Sequence, residues 1–391
     1  GSLLVVPGAI FTAAGTGINP AVGHHVMLIS LAATIVGGIG SLRGAACAGL
    51  LIGVAENLAM WKLGTQWSEA ITFAILFFFI IFKPSGFFGR ATVSRGADMT
   101  AYILNLLVLI SVYAILSTTL NFIIGYAGIF SLAHAVFFGI GGYTAALVAM
   151  NITPEFFVAI PAAMGAAAMT SLLLALPALR VRGEYFVAAS LGLQVLAVTL
   201  FSEWKSFTGG IGGVIGIPAV ELFGYPVYQP WQFLLMSVIC LLIIIVIIRI
   251  LVHTSFGRSL KAIRDSESAA LASGKNVTVI KTLSVVLSSS LAAVAGALYA
   301  FYMSFINVES FMLDTSVLVM AMVIIGGTAT ILGPLLGAAL LMLLPSALTY
   351  LSFLPQTEIG SIQQMVYGLA MVLLMIFRPG GIVSSQPGGS K

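Results

Sequence analysis

Long apolar runs recur along the whole of this 391-residue chain, and they constrain its fold more than any other feature. Only 7% of the residues are charged, whereas a soluble domain usually carries about 25%. A chain with so few charges cannot cover itself with a polar surface in water. Because a membrane-spanning helix needs about 17–25 apolar residues, the runs predict an all-α polytopic membrane protein with about 11–13 hydrophobic segments.

Glycine interrupts several of these runs, most clearly in the stretch GYAGIFSLAHAVFFGIGGY at residues 125–143, which contains five glycines. Glycine weakens a helix, and a broken helix is tolerated at membrane depth where protein buries it. We therefore expect broken or re-entrant helices, with Gly125 and Gly128 releasing the chain from the preceding span. The glycines between Gly139 and Gly142 are expected to allow close contact with a neighbouring helix.

The distribution of basic residues independently indicates a break in this stretch. Basic residues mark the cytoplasmic side of membrane proteins, and here they gather at 83–95, 180–182, 249–281 and 378. Clusters on one side must be separated by an even number of crossings, but an odd number of candidate segments lies between the first two clusters. The conflict disappears if residues 129–150 do not cross the membrane fully.

The chain carries none of the compact motifs by which enzymes bind nucleotides or metals or activate a serine. Its four histidines have no HExxH spacing, its two cysteines form no CxxC pair, and no GxxxxGK phosphate loop or GxSxG elbow is present. We therefore predict no catalytic residue, no metal, no cofactor and no enzymatic activity. If the chain works with energy from ATP, that energy has to arrive through contact with another protein.

An internal repeat predicts how the chain is organised. Residues 35–53 (IVGGIGSLRGAACAGLLIG) resemble residues 324–342 (IIGGTATILGPLLGAALLM), with a glycine pair and a further glycine at the same offsets. The repeat is direct, and it matches only the last part of the larger unit. We therefore interpret residues 1–95 as the C-terminal fragment of a first unit and residues 96–391 as a second, nearly complete unit.

Five stretches of the second unit resemble one transporter family in the order typical of that family. They are GYAGIFSLAHAVFFGIGGYTAAL (125–147), LRVRGEYFVAASL (179–191), WKSFTGGIGGVIGIP (204–218), residues 263–300, and GGTATILGPLLGAAL (326–340). On these stretches, residues about 100–385 resemble a permease of the branched-chain amino-acid ABC importers, the leucine/isoleucine/valine type. Residues about 8–90 resemble the last portion of its partner permease, through GLLIGVAEN (49–57) and KPSGFFG (83–89).

The resemblance implies a permease subunit of an ATP-driven importer that works by alternating access. The expected partners are two cytosolic ATP-binding subunits, which would hydrolyse the ATP, a partner permease, a periplasmic or extracellular solute-binding protein and the lipid bilayer, with no nucleic acid. The expected location is the bacterial cytoplasmic (inner) membrane, with multiple passes.

The resemblance also makes the charged loop 253–281 the cytosolic coupling loop that docks on the ATPase. The spacing of Lys261, Arg264 and Glu267 places them on roughly one face of a short helix, which we expect to end at Gly274. Alanines in that helix let a partner approach closely, and charged neighbours can make directional contacts at the rim. The predicted coupling residues are Arg264, Asp265, Glu267, Ala269, Ala270 and Gly274.

The sequence offers few obvious candidates for the substrate path, because few ionisable residues lie deep in its apolar segments. A zwitterion can be held by helix termini and backbone carbonyls, without buried charges. Ser131 and His134 are three residues apart and are expected to share a helix face; His134 either hydrogen-bonds substrate or is satisfied by the backbone beside the break. The predicted path residues are Gly125, Tyr126, Gly128, Ser131, His134, Gly139, Tyr143, Thr208 and Gly209.

Three alternative functions remain open at this stage. A permease for urea or short amides belongs to a sister family that shares these motifs. A passive channel would need no coupling loop, which weighs against it. A non-transporting or truncated membrane protein is consistent with a first unit that lacks its front half.

Overall fold

The computed structural model of the protein describes residues 42–63, 95–178 and 184–349, together with 33, 36, 365–366, 368–369, 372 and 380–383. The chain divides into two compact units, Gly1–Asp98 and Met99–Lys391. The predicted basic clusters at 83–94 and 180–182, Arg378, and most of the first copy of the repeat lie outside the described residues.

Helices account for nearly all of the described secondary structure. They are α1 (Leu42–Leu63), α2 (Arg95–Asn121), a π-helix (Phe122–Tyr126), α3 (His134–Asn151), α4 (Phe156–Ala178), α5 (Glu184–Glu203), α6 (Lys205–Thr208), a 3₁₀ turn (Gly210–Gly212), α7 (Pro230–His253), α8 (Ser255–Asp265), α9 (Glu267–Ala272), α10 (Val277–Met303), a second 3₁₀ turn (Val308–Phe311), α11 (Leu313–Gly326) and α12 (Leu332–Thr349). The strands have two residues each: β1 (Val214–Ile215), β2 (Glu221–Leu222), β3 (Tyr225–Pro226) and β4 (Phe305–Ile306).

Among the residues that the structure describes, four helices are long and apolar enough to cross a membrane. They are Thr100–Tyr126, Tyr185–Glu203, Pro230–His253 and Val277–Met303. Shorter apolar helices stand beside them at Ala46–Glu56, Phe156–Leu172, Leu313–Gly326 and Leu332–Pro345. This mixture of full-length and short apolar helices confirms the predicted all-α polytopic fold with broken helices.

The direction of two long helices defines two ends of the second unit. The helix α7 runs from Pro230 towards α8, and α10 returns from α9 to Met303, next to β4. We call residues 254–276 the α8–α9 end, and residues 204–229 with 304–312 the strand end.

The strand end is a folded loop and not a span, as its glycine and proline content predicts. The strand β1 pairs antiparallel with β4, which places Val214 opposite Ile306. The strands β2 and β3 form a hairpin whose turn residues, Phe223 and Gly224, both have positive φ. Positive φ at both turn positions matches the twist of paired strands, which is why glycine occurs there.

The helices α3 and α10 approach one another at the level of their backbones. A methyl group added to Gly296 would lie 1.9 Å from the Phe138 carbonyl oxygen, and one added to Gly141 would lie 2.3 Å from the Ala293 carbonyl oxygen. Small residues at an interface let membrane helices pack by van der Waals contact, because lipid supplies no hydrophobic drive to associate. The glycine cluster of α3 therefore makes the close helix contact that its spacing predicts.

The helix α2 is hydrogen-bonded to helices on several of its sides. Its polar side chains and carbonyls make these bonds inside the protein, where no water competes. The pairs are Ser111 Oγ to Ser237 Oγ of α7 (2.7 Å), Ser117 Oγ to the Pro334 carbonyl of α12 (3.1 Å), and Ser288 Oγ of α10 to the Thr119 carbonyl (2.7 Å).

Replacing Gly296 with alanine should lower the free energy of unfolding by at least about 2 kcal/mol, because the neighbouring backbone of α3 has no rotamer with which to yield. Thermal unfolding of the purified protein in detergent measures the change. Gly165→Ala in α4 is the matched control, since nothing lies within 4 Å of an added methyl group there. Equal stability of the two variants would contradict the close α3–α10 contact.

Candidate functional site

The stretch predicted to be broken is broken where the glycines stand. After α2, the chain forms the π-helix, then runs without regular structure until α3 begins at His134. Gly128 has φ +69°, a left-handed conformation that glycine adopts readily. The amides of Gly128 and Ile129 bond back to the carbonyls of Ile124 and Ile123, at 3.2 and 3.0 Å, and close the end of the π-helix.

Serine hydroxyls accept hydrogen bonds from the amides that open α3. Such amides have no partner within the helix, and a buried helix start must find partners elsewhere. The three bonds are Leu132 N to Ser190 Oγ of α5 (3.0 Å), Ala133 N to Ser131 Oγ (3.3 Å), and Ala135 N to Ser316 Oγ of α11 (3.0 Å). The break is therefore held by α5 and α11 as well as by its own serine.

His134 is the first residue of α3 and is almost completely buried. Its Nε2 makes a 3.0 Å hydrogen bond with the Thr119 hydroxyl, which also lies 2.8 Å from the Leu116 carbonyl oxygen. This bond accounts for a buried neutral imidazole without any ligand. Ser131 lies outside α3, so the prediction that Ser131 and His134 share a helix face is wrong: the helix begins three residues later than that spacing assumed.

Arg264, at the α8–α9 end, reaches the break directly. Its Nη1 donates a 2.8 Å hydrogen bond to the carbonyl oxygen of Gly125 in the π-helix. Its side chain also packs against Gly128, where an added methyl group would lie 2.9 Å from Arg264 Cγ. The same guanidinium pairs with Asp265 at 2.9 Å on the exposed side. Lys261 lies 5.7 Å from the centroid of the Tyr126 ring, which gives the π-helix a second contact with α8.

The opposite side of the π-helix is fastened to the turn between α11 and α12. Asn121 Nδ2 donates to the Thr330 carbonyl at 2.7 Å, and its Oδ1 accepts from the Ala329 amide at 2.9 Å. The Tyr126 hydroxyl donates to the Ala329 carbonyl at 3.0 Å. Gly125 has no room for a side chain, since an added methyl group would lie 2.4 Å from the Ala329 nitrogen.

The coupling loop differs in part from its prediction. Two helices, α8 and α9, replace the single helix, because the backbone is extended at Ser266, which caps α9. Lys261 and Arg264 therefore do not share a helix face with Glu267. The turn at Gly274 is present, with φ +76°.

The side chains of α9 divide between an inner and an outer face. Glu267 forms a 2.7 Å ion pair with Lys281 of α10, and Ala270 is buried beside Ile263, so these residues hold α9 in place. Ala269 and Leu271 are exposed and form the outer face. Of the two alanines predicted to face a partner, only Ala269 is accessible.

The remaining predicted path residues lie towards the strand end. Gly139 leaves space for the rings of Phe201 and Phe311, and the Tyr143 ring packs against both rings. Thr208 is buried and donates to the Phe201 carbonyl at 2.6 Å, and Gly209 has φ +72° in the turn that follows. The structure therefore separates the predicted path into one group at the break and another around Phe311.

Asn121, Gln194 and Ser316 hold the site together but were missed by sequence reasoning. Gln194 Nε2 donates to the Phe311 carbonyl at 2.8 Å, and Ser316 lies 3.4 Å from Gln194 Oε1. Gln194 is a lone polar side chain in an apolar run, a signal that could have revealed it, whereas Asn121 and Ser316 each follow other polar residues and carry no such signal. Among the described residues, no three His, Cys, Asp or Glu side chains are placed to hold a metal ion.

Comparison with known proteins agrees with the resemblance found in the motifs. The model of a family described as "Branched-chain amino acid transport system / permease component" matches residues 6–80 and 102–375. The high-affinity branched-chain amino acid transport system permease protein LivM of Salmonella typhimurium is 28% identical over 314 residues, which cover 74% of this chain and 71% of LivM. The probable LivM of Methanocaldococcus jannaschii is 23% identical over 315 residues, 70% of this chain and 91% of that protein.

A second type of permease matches a shorter part of the chain. The high-affinity branched-chain amino acid transport system permease protein BraD of Pseudomonas aeruginosa is 37% identical over 78 residues, 20% of this chain and 25% of BraD. No solved structure matches.

Replacing Asn121 with leucine should lower the free energy of unfolding by at least about 2 kcal/mol, since it leaves the buried Thr330 carbonyl and the Ala329 amide without partners. Faster hydrogen exchange at residues 328–331 should accompany the loss. Asn151→Leu, at an exposed position at the end of α3, is the matched control. Unchanged exchange in the Asn121 variant would show that the side chain does not hold the turn.

Proposed function

Because the chain belongs to the family of branched-chain amino acid transport system permease components, we propose that it is the membrane-spanning subunit of an ATP-driven importer for leucine, isoleucine and valine. The chain is a multi-pass membrane protein, and its relatives are transport permeases. The proposed location is the bacterial inner membrane. A solute-binding protein delivers the amino acid on the outer side, which we assign to the strand end.

Two cytosolic ATP-binding subunits supply the energy in this proposal. The sequence has no phosphate-binding loop, so hydrolysis has to take place in partner chains. A partner permease completes the translocation path, as the matches to two types of permease, LivM and BraD, suggest. Alternating access is then driven from outside the permease, through a surface that the ATPase can push or pull.

The outer face of α9 is the surface that suits this task. Ala269 offers a side chain small enough for close approach, and Leu271 is 54% exposed on the other flank of this face. The ion pair of Glu267 with Lys281 and the buried Ala270 hold α9 against α10. A helix held in this way can transmit a displacement instead of absorbing it.

The hydrogen bond from Arg264 to Gly125 is the observation that carries the coupling proposal. It joins α8, two residues before the extended Ser266 that leads into α9, to the point where α2 unwinds. A charge-assisted bond to a carbonyl in a water-poor site is among the stronger side-chain contacts. Movement of α8 and α9 by the ATPase therefore shifts the π-helix and, through Asn121, the turn between α11 and α12.

Replacing Ala269 with arginine should abolish co-purification with the ATP-binding subunits, because a long charged side chain prevents close approach. Tyr225→Arg is the matched control: it adds the same charge at an exposed position of the strand end and should leave co-purification unchanged. Normal ATPase binding by the Ala269 variant would place the docking surface elsewhere.

Replacing Arg264 with alanine should lower leucine uptake by reconstituted vesicles at least about tenfold, the equivalent of one charge-assisted hydrogen bond. ATPase binding and basal ATP hydrolysis should persist, because the Arg264 bond faces the break and not the partner. The matched control is Arg258→Ala, an exposed arginine of the same helix with one local 3.4 Å contact.

Two outcomes would contradict this proposal in different ways. Full uptake by the Arg264 variant would remove the bond to Gly125 from the coupling route. Uptake of labelled urea instead of labelled leucine by the unaltered complex would assign the chain to the urea and amide class.

A further inference from the structure

Phe311 is the centre of an aromatic cluster in the second unit. Its ring lies 5.3 Å from Phe138, 5.4 Å from Tyr143, 6.4 Å from Phe201 and 6.4 Å from Tyr299, measured between centroids. Tyr143 and Phe201 also contact each other at 5.1 Å. These five rings come from α3, α5, α10 and the 3₁₀ turn before α11, so the cluster is a point where four elements meet.

The hydroxyl of Tyr143 has no hydrogen-bond partner in this cluster. Among the described residues, it is one of two buried side-chain polar atoms in that condition; the other, Thr282 Oγ1, lies close to the α8–α9 end of α10. A buried donor without a partner is destabilising, and most folded proteins avoid one. Phenylalanine would pack in the same place without that penalty. The hydroxyl therefore does not stabilise this conformation, and its role has to lie in another conformation or in binding.

Two glycines of α3 lie against the rings of the cluster, so no side chain separates these rings from the helix backbone. A methyl group added to Gly139 would lie 2.9 Å from both the Phe201 and the Phe311 ring, and one added to Gly142 would lie 3.3 Å from Phe311. If Phe201 moved away, the space it leaves would be bounded by the backbone of α3 at Gly139, the Phe311 ring and Tyr143. That space would be apolar on most sides, with one hydrogen-bond donor.

Phe201, unlike Tyr143 and Phe311, is only half-buried, and its helix α5 is exposed along one side. The side chains of Val195, Leu196 and Leu200 on its other face are exposed. Its polar contacts with the break and the cluster are Ser190, which accepts from the Leu132 amide, and Gln194, which donates to the Phe311 carbonyl and accepts from Ser316. Ser316 also accepts the bond from the amide of Ala135 at the start of α3. The helix that carries Phe201 is thus linked, through Gln194 and Ser316, to the start of α3 at the break.

We infer that Tyr143, Phe201 and Phe311 form a recognition site, closed in this structure, for an aliphatic amino acid in transit. The Tyr143 hydroxyl donates to the carboxylate of the solute, the ring faces attract its ammonium group, and the apolar side chain occupies the place of the Phe201 ring. This inference rests on the proposed function, and it adds the solute contacts within the chain. One donor and no fixed charge suit weak binding, which lets the solute leave.

The test compares ligand-induced thermal stabilisation of the purified permease complex, without ATP or binding protein. Leucine should raise the unfolding temperature of the unaltered protein, since a ligand that binds the folded state stabilises it. In Tyr143→Phe, the leucine concentration for half-maximal stabilisation should rise at least about tenfold, the loss of one hydrogen bond to a charged group. Without ligand, the variant should unfold at the same or a higher temperature.

Two controls separate the hydroxyl from the ring and from the fold. Tyr299→Phe removes a hydroxyl of the same cluster that already lies 3.4 Å from Ser310 Oγ, and it should leave the leucine response unchanged. Isopentylamine, which is leucine without its carboxylate, should stabilise the unaltered protein and Tyr143→Phe equally.

Three results would overturn the inference. The first is the same half-maximal leucine concentration for Tyr143→Phe and the unaltered protein. The second is a weakened response to isopentylamine as well, since the hydroxyl would then not act on the carboxylate. The third is no stabilisation of the unaltered protein by leucine. Stabilisation by urea in place of leucine would overturn the proposed function too. If the unaltered complex takes up leucine but Tyr143→Phe leaves the half-maximal leucine concentration unchanged, this inference alone is overturned.

Discussion

A helix that unwinds inside a membrane releases backbone groups that neither lipid nor water can satisfy, and the second unit is arranged around this constraint. Between α2 and α3 those groups are satisfied by side chains from other elements: Arg264 for the carbonyl of Gly125, and serines of α5 and α11 for amides at the start of α3. The break is consequently a junction. Whatever displaces α8, α5 or α11 alters a hydrogen bond at the same short segment.

The chain uses two different kinds of contact for two different purposes. Where glycines face backbone, as between α3 and α10 or between Gly326 of α11 and Gly333 of α12, the helices approach too closely to slide apart without losing many atomic contacts. Elsewhere polar side chains join the elements, as Ser190 and Gln194 join α5 to the start of α3 and to Phe311. The proposed import cycle needs both, since a transporter must keep one part fixed while another is displaced.

Local patterns predicted the fold class and the break at Gly125–Gly128, because apolar length and glycine content are properties of short windows. That residues 129–150 do not cross the membrane fully, as the basic clusters indicate, stays a prediction. Local patterns did not predict the partners. Arg264 was assigned to a docking surface, yet it also bonds to a carbonyl 139 residues away, a pairing that no spacing rule reveals. The split between α8 and α9 was missed because Ser266, an N-cap type of residue, was read as part of a continuous helix. The prediction that Ser131 and His134 share a helix face was wrong for a related reason: the start of α3 was placed too early.

The close backbone contacts of Gly141 with Ala293 and of Gly296 with Phe138 limit how α3 and α10 can move. Backbones that touch without intervening side chains have no rotamers to rearrange, so α3 and α10 form a single rigid body that a hinge or gate cannot divide. Movement within the unit then has to occur in the elements that surround α3 and α10. In the proposed import cycle, α3 and α10 stay fixed relative to each other while the elements around them move.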